Sequence, residues 1–420
     1  PAEVLPKLID KRGPNDRPPP RRPPHPTGKK RPSDAPPKPR FMLRAGDPAA
    51  GRCRADISAA RGSGEGRGRE GEIRTTCAYC GVGCGIAATV IGPRSIEIRG
   101  DRDHPANEGR LCSKGTQLGE TVGLEGRLLH PMIGGRRAGW DKALDLVAKR
   151  FADTIAKYGP DSVAFYVSGQ LLTEDYYVAN KLMKGFIGSS NIDTNSRLCM
   201  SSAVAAHVRA FGEDVVPAHY DDLDAADLVV LVGSNTAWCH PVLYQRILAA
   251  RKARGSKLVV IDPRRTETCE DADLHLALRP GSDVALMNGL LAYCRHVGLV
   301  DDSALDVPEG FWATIDRNLW TVARDCDLAP ADIQRFFDLF VANPRTVTMF
   351  SQGINQSLAG TDQGNAIINL HLATGRIGKT GAAPFSITGQ PNAMGGREVG
   401  GLANMLAAHM DFAPENAARV

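Results

Sequence analysis

Apolar residues in this chain come in two arrangements, and the order in which these alternate predicts most of its elements. Short continuous runs such as Leu228-Val229-Val230-Leu231-Val232 suit strands buried on both faces, whereas recurrence every three or four positions suits helices with one covered side. Strands are therefore expected over 162–167, 227–232, 257–261, 275–278 and 347–350, and helices over 140–158, 174–186, 203–211, 242–254, 283–293 and 365–374. In the first helix Leu144, Val147, Ala148, Phe151 and Ile155 form the apolar stripe, which stops before Gly159-Pro160. Strands separated by amphipathic helices predict an α/β fold whose sheets are doubly wound and mainly parallel. That unit is expected over 160–330, within a larger domain covering 131–420. Upstream, strand-like runs at 86–91 and 95–99 predict a small antiparallel domain over 71–130. From 380 onward glycine and small polar residues dominate, and so long a connection suits a binding loop.

Composition changes this picture at the N-terminal end. Residues 1–70 hold 14 of the 28 prolines and 17 Lys and Arg against 8 Asp and Glu, a composition that cannot bury enough apolar surface to order itself. Since the whole chain carries a net charge of +4, that leader accounts for its basic balance and leaves the body mildly acidic. No basic-aromatic pattern for nucleic acid is found in the body. No apolar run approaches the roughly 20 residues that span a bilayer. Ten cysteines in 420 residues are too sparse for a secreted disulfide framework, and Arg21-Arg22 is followed by prolines and not by the apolar stretch of an export signal. A reducing, cytoplasmic setting is expected.

The densest chemistry lies in Cys77-Ala78-Tyr79-Cys80-Gly81-Val82-Gly83-Cys84, with Cys112 in Arg110-Leu111-Cys112-Ser113-Lys114-Gly115. Two, three and twenty-seven residues separate the thiols, so one tight loop supplies three ligands and a second loop the fourth. That arrangement suits a cubane four-iron, four-sulfur cluster; structural zinc, usually held by paired short knuckles, is the alternative. The glycines permit the backbone angles and close approach that such a loop needs.

Further along, three loops follow predicted strands, where doubly wound folds bind ligands. Gly233-Ser234-Asn235 opens toward a helix and offers backbone amides to a phosphate. Asp262-Pro263-Arg264-Arg265-Thr266 offers a carboxylate for hydroxyl or amino groups and guanidinium groups for a pyrophosphate, and Arg279-Pro280-Gly281-Ser282-Asp283 repeats the theme. No full G-x-G-x-x-G fingerprint occurs, so a nicotinamide cofactor is not indicated. Cys199 stands just before the helical run 203–211, where a lowered pKa would make it a competent metal ligand or nucleophile; a buried structural thiol is the alternative. Cys239, Cys269, Cys294 and Cys326 lack ligand spacing and are expected to be core or surface thiols.

The four spaced cysteines, Cys-Ser-Lys-Gly at 112–115, Ser-Arg-Leu-Cys-Met at 196–200 and Thr-Gly-Gln-Pro-Asn-Ala-Met-Gly-Gly-Arg-Glu-Val-Gly at 388–400 together resemble the molybdopterin oxidoreductases that carry a bis(molybdopterin guanine dinucleotide) cofactor. The resemblance runs from about residue 75 to 412 and is strongest to assimilatory nitrate reductase catalytic subunits. It implies that Cys77, Cys80, Cys84 and Cys112 hold the cluster, that Lys114 lies between cluster and pterin, and that Cys199 is the thiolate on molybdenum, a soft ligand for a sulfur-rich metal. Gln170, Asn195, Gly233, Ser234, Asn235, Asp262, Arg264, Thr266, Gly281, Asp283, Gln352 and Gln356 fall where family members contact the pterin or dinucleotide. Met200, Gln352, Gln390, Asn392, Met394 and Arg397 fall where they line the way to the metal, Gln390 and Met394 close to the cofactor as well.

The implied activity is oxygen-atom transfer from nitrate, with electrons entering at the cluster from ferredoxin, flavodoxin or an NADH-linked partner. A cysteine-type formate dehydrogenase is the nearest rival, but those enzymes typically place His after the metal ligand, where Met200 stands here. A non-catalytic iron–sulfur scaffold subunit is the rival from another class, and Cys199 argues against it. Family members continue past residue 420, so the chain is expected to bind its cofactor poorly alone and to leave apolar surface uncovered.

Overall fold

The computed structural model describes residues 71–302, 305 and 307–419; the leader expected to be disordered lies outside them. Three antiparallel strands come first: β1 (Glu72–Thr76), β2 (Gly85–Gly92) and β3 (Ser95–Gly100), in that order across a small sheet. β2 and β3 match the sequence reading, whereas β1 was missed because Glu72-Ile73-Arg74-Thr75-Thr76 carries little apolar signal. A hairpin of β4 (Met132–Ile133) and β5 (Arg136–Arg137) follows.

The helix Trp140–Tyr158 has the expected bounds, yet none of its residues is buried among the described residues. The first half of its stripe is uncovered, with Leu144 59% and Val147 53% exposed, while Phe151 and Ile155 are half-buried, Phe151 against Phe165. The strand expected over 162–167 is shorter and lies outside the main sheet: β6 (Phe165–Val167) pairs in parallel with β7 (Ile192–Thr194) alone. Between them the helix Thr173–Asn180 widens into a π-helical turn, Lys181–Ile187.

The main sheet contains β8 (Leu228–Val232), β9 (Lys257–Ile261), β10 (Leu274–Leu276), β11 (Thr346–Phe350) and β12 (Ala383–Ser386), ordered β10-β9-β8-β11-β12 with every pair parallel. The doubly wound unit expected over 160–330 thus draws two strands from beyond 330. Alternate residues explain the unbroken apolar runs. Val230, Val232, Val259 and Ile261 face a core shared with the helices Asp283–His296 and Pro330–Ala342, while Val229, Leu231, Leu258 and Val260 face a second core that includes Cys77, Val82, Cys84 and Ile86. One face of the sheet therefore carries the cysteine module. β12, taken from the stretch expected to be all loop, is an edge strand, which is where Pro384 is tolerated.

The chain leaves β8 toward β9 and β10, then returns to the other side of β8 as β11, so the strand order reverses between β8 and β11. Gly233, just past β8, has φ +55°, and a Cβ there would stand 2.6 Å from Gly353 Cα. The two backbones meet at the position where such sheets open a ligand crevice. Gly233→Ala is expected to lower stability by about 2 kcal/mol or more, from left-handed strain and this overlap, measured as a drop in the urea midpoint.

Candidate active site

In the ligand loop, Cys77 N–H donates to Cys84 O at 2.8 Å and Gly83 turns with φ +67°. Buried Asn107 ties that loop to the fourth cysteine. Its Oδ1 accepts from Gly85 N at 2.7 Å and its Nδ2 donates to Gly85 O at 2.9 Å and Arg110 O at 2.8 Å. The four thiols consequently sense one another. Burial raises the pKa of Cys77, Cys80 and Cys84, and the charges of neighbouring cysteines add to this, taking Cys84 to about 12. Lys114 opposes the shift at Cys77 and Cys80. Among the described residues no three Cys, His, Asp or Glu side chains converge on a point that would hold a single ion. Four thiols on two adjoining loops suit a group that brings its own sulfur and takes four thiolates. The nine described cysteines are all free.

Arg246 and Tyr220 anchor this module to the sheet, and neither carried a sequence signal. Arg246, fully buried, pairs with Asp221 and Asp224 and donates to Pro105 O at 2.8 Å. Tyr220 donates its hydroxyl to Gly81 O at 3.2 Å and Val82 O at 3.1 Å, and burial together with the Cys80 and Cys84 charges raises its pKa to about 12.

Cys199 lies inside the helix Ser196–Phe211, in its first turn, and not ahead of a helix beginning at 203. It is 4% exposed, and Gln352 Nε2 donates to its Sγ at 2.9 Å. Gln352 begins the short helix directly after β11, and Asn355 Nδ2 lies 3.4 Å from Met200 Sδ. The structure thus assembles Cys199, Met200 and Gln352 from positions far apart in sequence. A cavity of about 900 Å³ borders Met200, with Gly81 of the cysteine loop, Ser196, Met394 and Arg397 also in its wall, while Cys199 and Gln352 stand behind it.

The loops expected to meet a dinucleotide do lie beyond the carboxyl ends of β8, β9 and β10. Ser234 is buried, and Asn235 Oδ1 accepts from Thr268 at 2.8 Å. Asp262 caps its own turn through Arg264 N, and Thr266 is buried. Burial raises the pKa of Asp283, the neighbouring Asp262 adding to this, and Gln363 Nε2 donates to it at 3.2 Å. After β6 and β7, Gly169 N donates to Asn195 Oδ1 at 2.9 Å, and Gly169 packs so closely on Gln390 that a Cβ would stand 2.6 Å away. Asn392 N donates to Gly169 O at 2.8 Å. Gln170, Arg264, Gly281 and Gln356 are exposed, and of the residues expected to contact the cofactor only Met394 stands in the wall of the cavity of about 900 Å³. Arg397, expected to line the way to the metal, does reach the cavity wall but as half of a buried ion pair with Asp214. Burial acts to raise the Asp214 pKa, but hydrogen bonds from His207 and Arg397 more than offset it and hold the carboxyl below its usual range.

Mutually close thiols in one module, a separate buried thiol and loops at the ends of parallel strands are the arrangement of a protein that takes redox groups. Residues 127–419 match the family model described as Molybdopterin oxidoreductase, and residues 70–123 match the Molybdopterin oxidoreductase Fe4S4 domain. The chain belongs to the molybdopterin oxidoreductase family, with a four-iron, four-sulfur cluster and molybdopterin as its cofactors. It is 57% identical over 350 residues to a nitrate reductase of Klebsiella oxytoca, an alignment covering 83% of this chain and 40% of that protein. A nitrate reductase of Shewanella frigidimarina is 52% identical, with 81% and 38% covered. The chain therefore spans about two fifths of the length of these relatives. Among solved structures, acetylene hydratase from Pelobacter acetylenicus shares the fold, with a TM-score of 0.63 at 24% identity over 74% of this chain and 44% of that one.

Proposed function

We propose that this chain is part of the catalytic subunit of a cytoplasmic, assimilatory nitrate reductase, reducing nitrate with two electrons and two protons to nitrite and water. The observation that carries the reading is the buried Cys199 thiol, held by Gln352 beside a cavity whose wall reaches the cysteine loop. Cys77, Cys80, Cys84 and Cys112 would hold the cluster within a domain over 71–130, and the domain over 131–420 would hold the molybdopterin in its guanine dinucleotide form. When bound, the molybdenum cofactor supplies two-electron oxygen-atom transfer.

The residues of the chain do the rest. Cys199 offers a soft thiolate near a helix N-terminus, and the Gln352 amide N–H orients it and stabilises its charge. Met200 brings a polarizable thioether and no proton to the adjoining space, which suits an oxyanion acceptor better than a reaction that abstracts hydrogen. Lys114, exposed beside the thiols, places a cation where electrons enter. Ser234, Asn235, Asp262, Thr266 and Asp283 would take the dinucleotide, and the Thr388–Asn392 segment with Asn195 would take the pterin. An acidic carrier such as ferredoxin or flavodoxin, or an NADH-linked subunit, would deliver the electrons.

The test is turnover of the cofactor-loaded protein with reduced viologen and nitrate, run beside formate oxidation with oxidised viologen. Nitrite formation without formate oxidation is expected, and the reverse result would transfer the chain to the formate-oxidising branch.

A further inference from the structure

The segment Thr388–Asn392 touches both ends of the electron path. Gly81 of the cysteine loop donates its N–H to Gly389 O at 3.1 Å, and a Cβ on Gly81 would stand 2.1 Å from Thr388 O. One and three residues on, Gln390 and Asn392 rest on Gly169, whose missing Cβ would also lie 2.8 Å from Ser196 Oγ at the start of the Cys199 helix. One short segment thus bridges the loop of three thiols and the helix of the fifth.

His240 pins the cysteine end of this bridge. It is 0% exposed, lies between the short helix Thr236–Cys239 and the helix Pro241–Arg254, and its Nε2 stands 2.7 Å from Thr388 O. A carbonyl oxygen only accepts, so Nε2 carries the hydrogen. Burial lowers the His240 pKa, the Thr388 carbonyl opposes this and Lys114 adds to the lowering. Nδ1 is buried with no hydrogen-bond partner among the described residues. The imidazole therefore has one fixed tautomer and one bond to give.

We propose that His240 is a positioning residue that locks Thr388-Gly389 onto the cysteine loop and so fixes the separation between the cluster and the Cys199 site. Tyr220 and Arg246 hold the module to the sheet independently, so removing the His240 bond loosens this junction and leaves the dock intact. Electron tunnelling falls steeply with distance, which makes a loosened junction a kinetic defect. The link to turnover rests on the nitrate reductase reading; the mechanical claim does not.

The experiment compares His240→Leu with His240→Gln, whose amide N–H reaches a similar distance. In the cofactor-free chain, hydrogen exchange at Gly81 N–H is expected to quicken about tenfold in His240→Leu, to stay near wild type in His240→Gln, and to leave β8 and β9 unchanged. In the loaded protein, kcat for nitrate should fall in His240→Leu with KM unchanged and return in His240→Gln. Unchanged Gly81 exchange overturns the proposal, and so does exchange that quickens across the whole sheet, which would make His240 a general fold residue. If exchange behaves as expected but wild type reduces no nitrate, the functional reading fails and the junction stands.

Discussion

Replacing Cys199 with Ala is expected to reduce nitrate turnover at least about 100-fold, since disturbing even the outer partners of a metal ligand costs 10–100-fold. The iron content and the reduced-cluster spectrum should be unchanged, because Cys199 belongs to the helix Ser196–Phe211 and not to the cysteine module. The substitution removes one sulfur and the acceptor of the Gln352 hydrogen bond, and Ala suits a helix interior, so the fold should persist. Turnover is measured with reduced viologen and nitrate alongside molybdenum and iron analysis. Wild-type turnover in this variant would remove Cys199 from the site.

Replacing Cys84 with Ala is expected to act at the other end. On the proposed ligand set four thiolates would share the cluster, and Cys84 is the member whose own carbonyl also closes the loop through Cys77 N. Iron and acid-labile sulfide should fall to background, and viologen-driven turnover to below about a tenth as the entry point is lost. A variant that keeps its iron and its spectrum would exclude Cys84 from the ligand set.

The main sheet was legible because both of its faces are buried, which leaves β8 and, after Lys257, β9 as unbroken apolar runs. The helix Trp140–Tyr158 was legible from its stripe although the described residues cover only its Phe151 and Ile155 end, since periodicity records what a helix is built to bury. The beginning of the Cys199 helix was not, because Ser196-Arg197-Leu198-Cys199-Met200-Ser201-Ser202 mixes weak helix formers with polar residues and shows no stripe. β12 was hidden by Pro384 and the glycines around it.

The site divides in the same way. Thiol spacing exposed the cysteine module, and loops after strands exposed Ser234, Asn235, Asp262 and Asp283. His240, Tyr220, Arg246 and Asn107 are single residues whose roles depend on partners brought up by the fold, and no local pattern announces them. The ion pair of Arg397 with Asp214 joins positions 183 apart, so the sequence showed a cation without its counter-charge.

The central claim is that electrons resting on the cluster reach nitrate only by way of Cys199. The most direct measurement is to reduce the loaded protein, remove excess donor, add nitrate and follow the reduced-cluster EPR signal. The account predicts that the signal disappears in the wild type and persists in Cys199→Ala. Loss of the signal at the wild-type rate in Cys199→Ala, or its persistence in the wild type, would contradict it.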